Sequence, residues 1–251
     1  MVTRPDPAVL YPDVAARGNL GAALRAVAEE EGFSLPLIAS ASDSLDHAVA
    51  ESTLPHRLPL HVNARVFERV WSIRGTESFQ DMALVEGTTD NLAQVARAVR
   101  AWHDGVALSD IPRAAPFVQL TGRFEVPDND PVRLTASEWQ HLRTEAGPLG
   151  QAGSAYRALV EAAHAEPALR GLYPFTSHWV LRFSATTRPH LSSVGPCVIG
   201  HDVDRYTVSA DFMGEDVLAR AATAQEAVAA AVRHLPPGLG PVTLGSVTLG
   251  S

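Results

Sequence analysis

Four stretches of this chain put proton carriers and anion holders on one side of a strand. In Leu60-His61-Val62-Asn63-Ala64-Arg65-Val66 the even positions are apolar and the odd positions polar, the period of two that buries one face of a sheet. Two tetrapeptides, Trp71-Ser72-Ile73-Arg74 and Trp179-Val180-Leu181-Arg182, share a Trp-x-aliphatic-Arg pattern. Each predicts a strand whose Trp enters the core while its Arg emerges opposite. Alternation returns in Arg205 to Phe212, with Arg205, Thr207, Ser209 and Asp211 on the polar side. Guanidiniums suit paired hydrogen bonds to a carboxylate or phosphate, and an imidazole transfers protons near neutral pH. His178 is therefore the expected proton carrier, with Glu77 or Asp211 as base. Arg74, Arg182, His61, Arg65 and Arg205 are the expected substrate contacts. Ordinary ion pairs on a solvated sheet face are the plainer reading of each residue taken alone.

Other reactive residues have less around them. Cys197, in Gly195-Pro196-Cys197, has no neighbouring basic charge in sequence and reads as a small buried residue. His201-Asp202-Val203-Asp204 lacks metal-ligand spacing and reads as a polar turn. His103, His141, His164 and His234 fall on or near helix C-terminal turns, where imidazolium suits the dipole. The sequence contains no Gly-x-Gly-x-x-Gly, Walker or Gly-x-Ser-x-Gly motif. No cofactor and no metal are expected.

The elements that would carry these residues follow from spacing. Residues 19–32 form a helix, and residues 40–57 form a connection with one short strand. Three strands lie between 60 and 87, followed by a helix with Leu92, Val95, Ala96, Val99 and Trp102 on one stripe, capped by Thr88, Thr89 or Asp90. Thr135-Ala136-Ser137-Glu138 and Thr223-Ala224-Gln225-Glu226 have capping-box spacing and predict two helix starts. Ala98-Val99-Arg100 and Ala231-Val232-Arg233 echo each other on the helices that follow the two Trp-bearing strands.

The expected fold is thus α+β in two layers: two β-rich halves of mainly antiparallel sheet, each followed by a helix, with a helical insert between them. The expected boundaries are 1–57 for the N-terminal helix and connection, 58–108 and 171–241 for the halves, 109–170 for the insert and 242–251 for a tail.

A chain of 251 residues that is 46% hydrophobic buries a sizeable core without metal or disulfide. Its formal charge of -8 offers no footprint for nucleic acid. No apolar run reaches the ~18 residues that span a bilayer, and the first thirteen residues do not resemble an export signal. One cysteine fits a reducing compartment, so a cytoplasmic location is expected.

Arg113-Ala114-Ala115-Pro116-Phe117-Val118, Leu120-Thr121-Gly122-Arg123-Phe124, Gly171 to Trp179 and Ala101-Trp102-His103-Asp104-Gly105 resemble a domain-of-unknown-function family of filamentous soil bacteria. Its members are labelled natural product biosynthesis proteins. The resemblance runs over about residues 10 to 245 and implies a small-molecule, antibiotic-like pathway, with no residue role to transfer. The expected activity is that of a cofactor-independent enzyme of secondary metabolism acting on a small-molecule biosynthetic intermediate, of cyclase, lyase, dehydratase or isomerase type. The alternative is a non-catalytic binding, accessory or immunity-type protein.

Overall fold

The computed structural model describes residues 5–36, 38–39, 44–147, 153–212 and 215–245. The chain divides into two compact units, residues 1–121 and 122–251. Both combine helices with open antiparallel sheet, an α+β fold.

In the first unit, short helices α1 (Pro7–Leu10) and α2 (Pro12–Ala16) lead into α3 (Leu20–Glu30). Strands β1 (Ile38–Ala39), β2 (His47–Ala50), β3 (Leu60–Ala64), β4 (Trp71–Thr76) and β5 (Ala83–Thr89) pair in chain order. Helix α4 (Leu92–His103) follows, then a 3-10 turn (Leu108–Asp110), α5 (Ile111–Ala114) and β6 (Val118–Leu120), which completes a six-stranded sheet beside β5. The alternation in β3 and β4 sends Leu60, Val62, Ala64, Trp71 and Ile73 into a core shared with Leu20, Leu24, Val95, Val99 and Trp102. Each fully buried aliphatic side chain contributes roughly 1.5–3 kcal/mol. Trp102 reaches the sheet because Gly75 leaves room: a Cβ there would lie 2.7 Å from the indole ring. The Trp102 Nε1–H donates to the Leu58 carbonyl at 3.1 Å.

In the second unit, α6 (Pro131–Ala146), α7 (Ser154–Ala165) and α8 (Pro167–Arg170) precede β7 (Tyr173–Ser177) and β8 (Val180–Ser184). Strand β9 (Thr186–Pro189) leaves the main sheet, which continues through β10 (Ser193–Asp202), β11 (Arg205–Ser209) and β12 (Val217–Ala221) in the order β12-β11-β10-β8-β7. After α9 (Ala224–Arg233), β13 (Thr243–Gly245) pairs in parallel with β9. Leu181, Phe183, Val198, Tyr206 and Val208 bury one sheet face against Leu159, Val160, Ala227 and Ala231. The capping box at α9 forms as its spacing predicts: Thr223 accepts from the Glu226 amide at 3.2 Å, and Glu226 accepts from the Thr223 amide at 3.2 Å.

A buried ion pair fixes the start of this unit. The Arg123 Nε and Nη2 donate to the two carboxylate oxygens of Glu138 at 2.6 and 2.9 Å, with both side chains almost fully enclosed. Next to it, the Ser137 hydroxyl accepts from the Phe124 amide at 2.9 Å and donates to the Phe124 carbonyl at 3.0 Å. The strand-like stretch before α6 is thereby clipped along the helix.

The structure departs from several expectations. Trp179 does not enter the core: it is 49% exposed, sits with His178 at positive φ in the turn between β7 and β8, and packs edge-on against Tyr156. Thr135 and Glu138 do not start a helix, because Asp130, just ahead of Pro131, caps α6 by accepting from the Arg133 amide at 2.8 Å. That leaves Thr135 and Glu138 inside the helix. The cap of α4 is Asn91 rather than Thr88, Thr89 or Asp90. Residues 243–245 of the expected tail form a paired strand, while 246–251 lie outside the described residues. The boundary between units falls inside the stretch 109–170 read as an insert, so 109–121 fold with the first sheet and α6, α7 and α8 with the second.

Candidate functional site

In the first unit, the face of β3 and β4 away from the helices carries His61, Asn63, Ser72 and Arg74, as the alternation predicts. Asn63, Ser72, Arg74, Glu86, Thr88 and Gln119 border a shallow polar concavity of about 380 Å³. His61 lies beside Arg74 in register, and its Nδ1 is 3.3 Å from the His47 Nε2 on β2. Arg65 turns to Glu68 in an exposed ion pair. Glu77 is committed to its own loop. Its carboxylate accepts from the amides of Phe79 and Gln80 at 2.8 Å and of Met82 at 3.1 Å. Burial raises its carboxyl above the ordinary value, and these donors pull it back only in part. The carboxylate therefore serves as the hub of the 77–82 turn. Glu77→Gln replaces an acceptor oxygen with an amide that faces N–H groups. It should cost about 1–3 kcal/mol in urea unfolding, and unchanged stability would show that the turn does not depend on the carboxylate.

In the second unit, Arg182 and His178 share the Phe212 ring. The Arg182 guanidinium carbon lies 4.8 Å from the Phe175 ring centre and 5.5 Å from that of Phe212, and the His178 ring is 6.1 Å from Phe212. Arg182 also donates to the Ser193 hydroxyl at 3.3 Å. Cys197 is buried, and burial raises its thiol although Arg182 pulls the other way. That basic neighbour comes from the adjacent strand, so sequence proximity does not reveal it. Arg205 pairs with Asp202 at 2.7 Å on the exposed β10–β11 turn. The Asp211 carboxylate accepts the amides of Glu215 at 3.2 Å and Asp216 at 2.8 Å.

A different set of residues in this unit forms a more enclosed site. One stripe of α6, spaced as Val132, Thr135, Ala136 and Trp139, faces His164 from the last turn of α7, Pro167 and Arg170 of α8, Gly171, and the Pro241-Val242 segment before β13. Together they line a cavity of about 490 Å³. Trp139 sets its geometry. The indole Nε1–H donates to the Arg170 carbonyl at 3.1 Å, and the ring meets the His164 imidazole edge-on at 5.5 Å. The helix C-terminus favours imidazolium, yet burial, with Arg143 and Arg170 nearby, holds the His164 pKa below its ordinary value. The shift favours the neutral imidazole.

Thr135 supplies the second unusual group. It is 3% exposed, and its hydroxyl has no hydrogen-bond partner among the described residues. A threonine inside a helix commonly bonds back to the carbonyl four residues earlier. Thr144 on the same helix does so, to Gln140 at 2.9 Å, whereas Thr135 does not. A buried hydroxyl left unpaired costs stability.

The residues around this cavity fall largely within one recognisable segment. Residues 133–246 match a family of unknown function, DUF6193. The match takes in Thr135, Trp139, His164, Arg170 and Val242, and it includes the Gly171 to Trp179 run of the resemblance but not Ala101 to Gly105 or Arg113 to Phe124. No curated protein and no solved structure matches the chain. Among the described residues no helix is long and apolar enough to cross a membrane, and no group of three or more His, Cys, Asp or Glu is arranged to hold a metal ion.

Sequence reasoning passed over this site because its polar members do not share a strand or a motif. Thr135 was assigned to a helix start, and His164 and Arg170 meet only where Pro167 turns the chain from α7 into α8. The i, i+3, i+4, i+7 spacing of Val132, Thr135, Ala136 and Trp139 was the one signal present.

Proposed function

We propose that the second unit is the working part of a small-molecule enzyme of secondary metabolism. Its reaction is a lyase, cyclase, dehydratase or isomerase step on a biosynthetic intermediate, driven by general acid–base chemistry in the α6–α7–α8 cavity. The observation that carries this reading is an imidazole packed edge-on against Trp139 and an unpartnered buried hydroxyl on the same largely apolar cavity. His164 takes a proton from the bound molecule. The Thr135 hydroxyl donates to the oxygen on which negative charge then develops. Trp139, Val132, Ala136, Pro167, Pro241 and Val242 offer apolar surface to the ligand's body.

The test combines genetics with turnover. Deleting the gene should make one pathway intermediate accumulate, and the purified full chain should convert that intermediate. Ala136→Trp, which fills the cavity from a solvent-facing helix position, should abolish conversion while leaving the unfolding midpoint near that of the parent. Equal conversion by the filled variant would overturn the assignment to this cavity. Tight binding of the intermediate without conversion would make the chain a carrier instead of an enzyme.

A further inference from the structure

Resting on that reading of the cavity, we infer that its ligand carries a carboxylate on an apolar body, held by Arg170 with the Thr135 hydroxyl. The surrounding arginines are already engaged. Arg123 is paired with Glu138, Arg133 with Asp128 at 3.1 Å, and Arg143 with Glu161 at 2.8 Å, while Arg157 donates to the Ala146 carbonyl at 3.1 Å. Arg170 makes no side-chain ion pair or hydrogen bond with any described residue, although its backbone carbonyl is fixed by Trp139. Arg170 lines the cavity with its backbone held and its guanidinium donors unused among the described residues, which suits a planar anion.

The rest of the lining narrows the choice of ligand. Among the described residues it contains no Asp or Glu to compensate an incoming ammonium group. One unpaired guanidinium at the cavity and one unpaired hydroxyl buried in its wall match the two oxygens of a carboxylate. A phosphate, with more charge and more acceptors, calls for further cations or a row of backbone amides. The remaining wall is Val132, Ala136, Trp139, Pro167, Pro241 and Val242, which matches a hydrocarbon or aromatic body. A volume of about 490 Å³ lies within the size range of small-ligand sites, roughly 300–1,000 Å³.

The experiment is a calorimetric titration of the full chain with 4-phenylbutyrate and with its amide, 4-phenylbutyramide. These probes have the same body and differ in charge. The acid should bind at least about tenfold more tightly than the amide. Arg170→Gln, at an exposed position, should bring the acid down to the affinity of the amide, and Ala136→Trp should remove both. Equal affinity for acid and amide in the parent overturns the carboxylate inference, as does a preference for acid that survives in Arg170→Gln. If the two bind equally and Ala136→Trp still removes both, the cavity stands as a small-molecule site and only the anion inference falls. If the acid does not bind, the inference also falls, and the enzymatic reading stands or falls on turnover of its own intermediate.

Discussion

His164→Gln should lower turnover of the accumulated intermediate by about 10²–10⁴-fold, the usual contribution of a positioned general base. Its effect on stability should be small by comparison. Glutamine keeps a polar group of similar reach beside Trp139 but cannot accept a proton at neutral pH. The pH profile separates this role from a packing role. Burial and the Arg143 and Arg170 guanidiniums lower the folded-state pKa, while Glu161 opposes them more weakly. With the imidazole as the proposed base, activity should be full at neutral pH and fall as pH drops through the lowered His164 pKa. Stability carries the same sign. Between the lowered folded pKa and the unfolded value, the unfolded chain binds the extra proton, so stability declines as pH falls through that window. His164→Gln should flatten both acid limbs. An unchanged pH profile with only a small drop in turnover would remove His164 from the chemistry.

Breaking the Arg123–Glu138 pair should be the most damaging single change to the second unit's stability. Glu138→Gln leaves a guanidinium in a site almost closed to solvent, and Arg123→Met leaves a carboxylate there. Removing one partner of a buried pair costs about 3–5 kcal/mol, because the remaining charge has lost its compensation. For a unit of this size that corresponds to a drop in Tm of roughly 10–20 °C. The double change Arg123→Met with Glu138→Leu should recover most of the loss, since an apolar pair of similar volume avoids the desolvation cost. Urea unfolding followed by circular dichroism reads all three variants. A loss below about 1 kcal/mol in both single variants would mean that water reaches the pair and screens it. Because α6 carries both Glu138 and the Thr135–Trp139 stripe, the single variants should also weaken ligand binding in the cavity.

Where one side of an element is buried and the other is wet, the sequence showed the structure well. His61, Asn63 and Arg74 stand opposite Leu60, Val62, Trp71 and Ile73 because a strand alternates and the core accepts only one side of it. The Leu92 to Trp102 stripe and the Thr223–Glu226 box were readable for the same reason, being local patterns with local causes. The second Trp-x-aliphatic-Arg tetrapeptide misled because the β7–β8 turn takes up His178 and Trp179 at positive φ, so the strand begins one residue after the indole. The core on that face is filled instead by Leu181 and Phe183, with Trp139 from α6 against Phe183.

Composition, periodicity and capping determined the α+β class, two halves of mainly antiparallel sheet and the polar face of β3 and β4, since each depends on residues a few positions apart. The tertiary structure alone decided which polar groups meet. Glu77 and Asp211 have their carboxylates occupied by neighbouring amides, whereas Thr135, His164 and Arg170 converge across three helices through the indole of Trp139. A site assembled by packing leaves no period in the chain, and that is why its histidine looked like any other near a helix end.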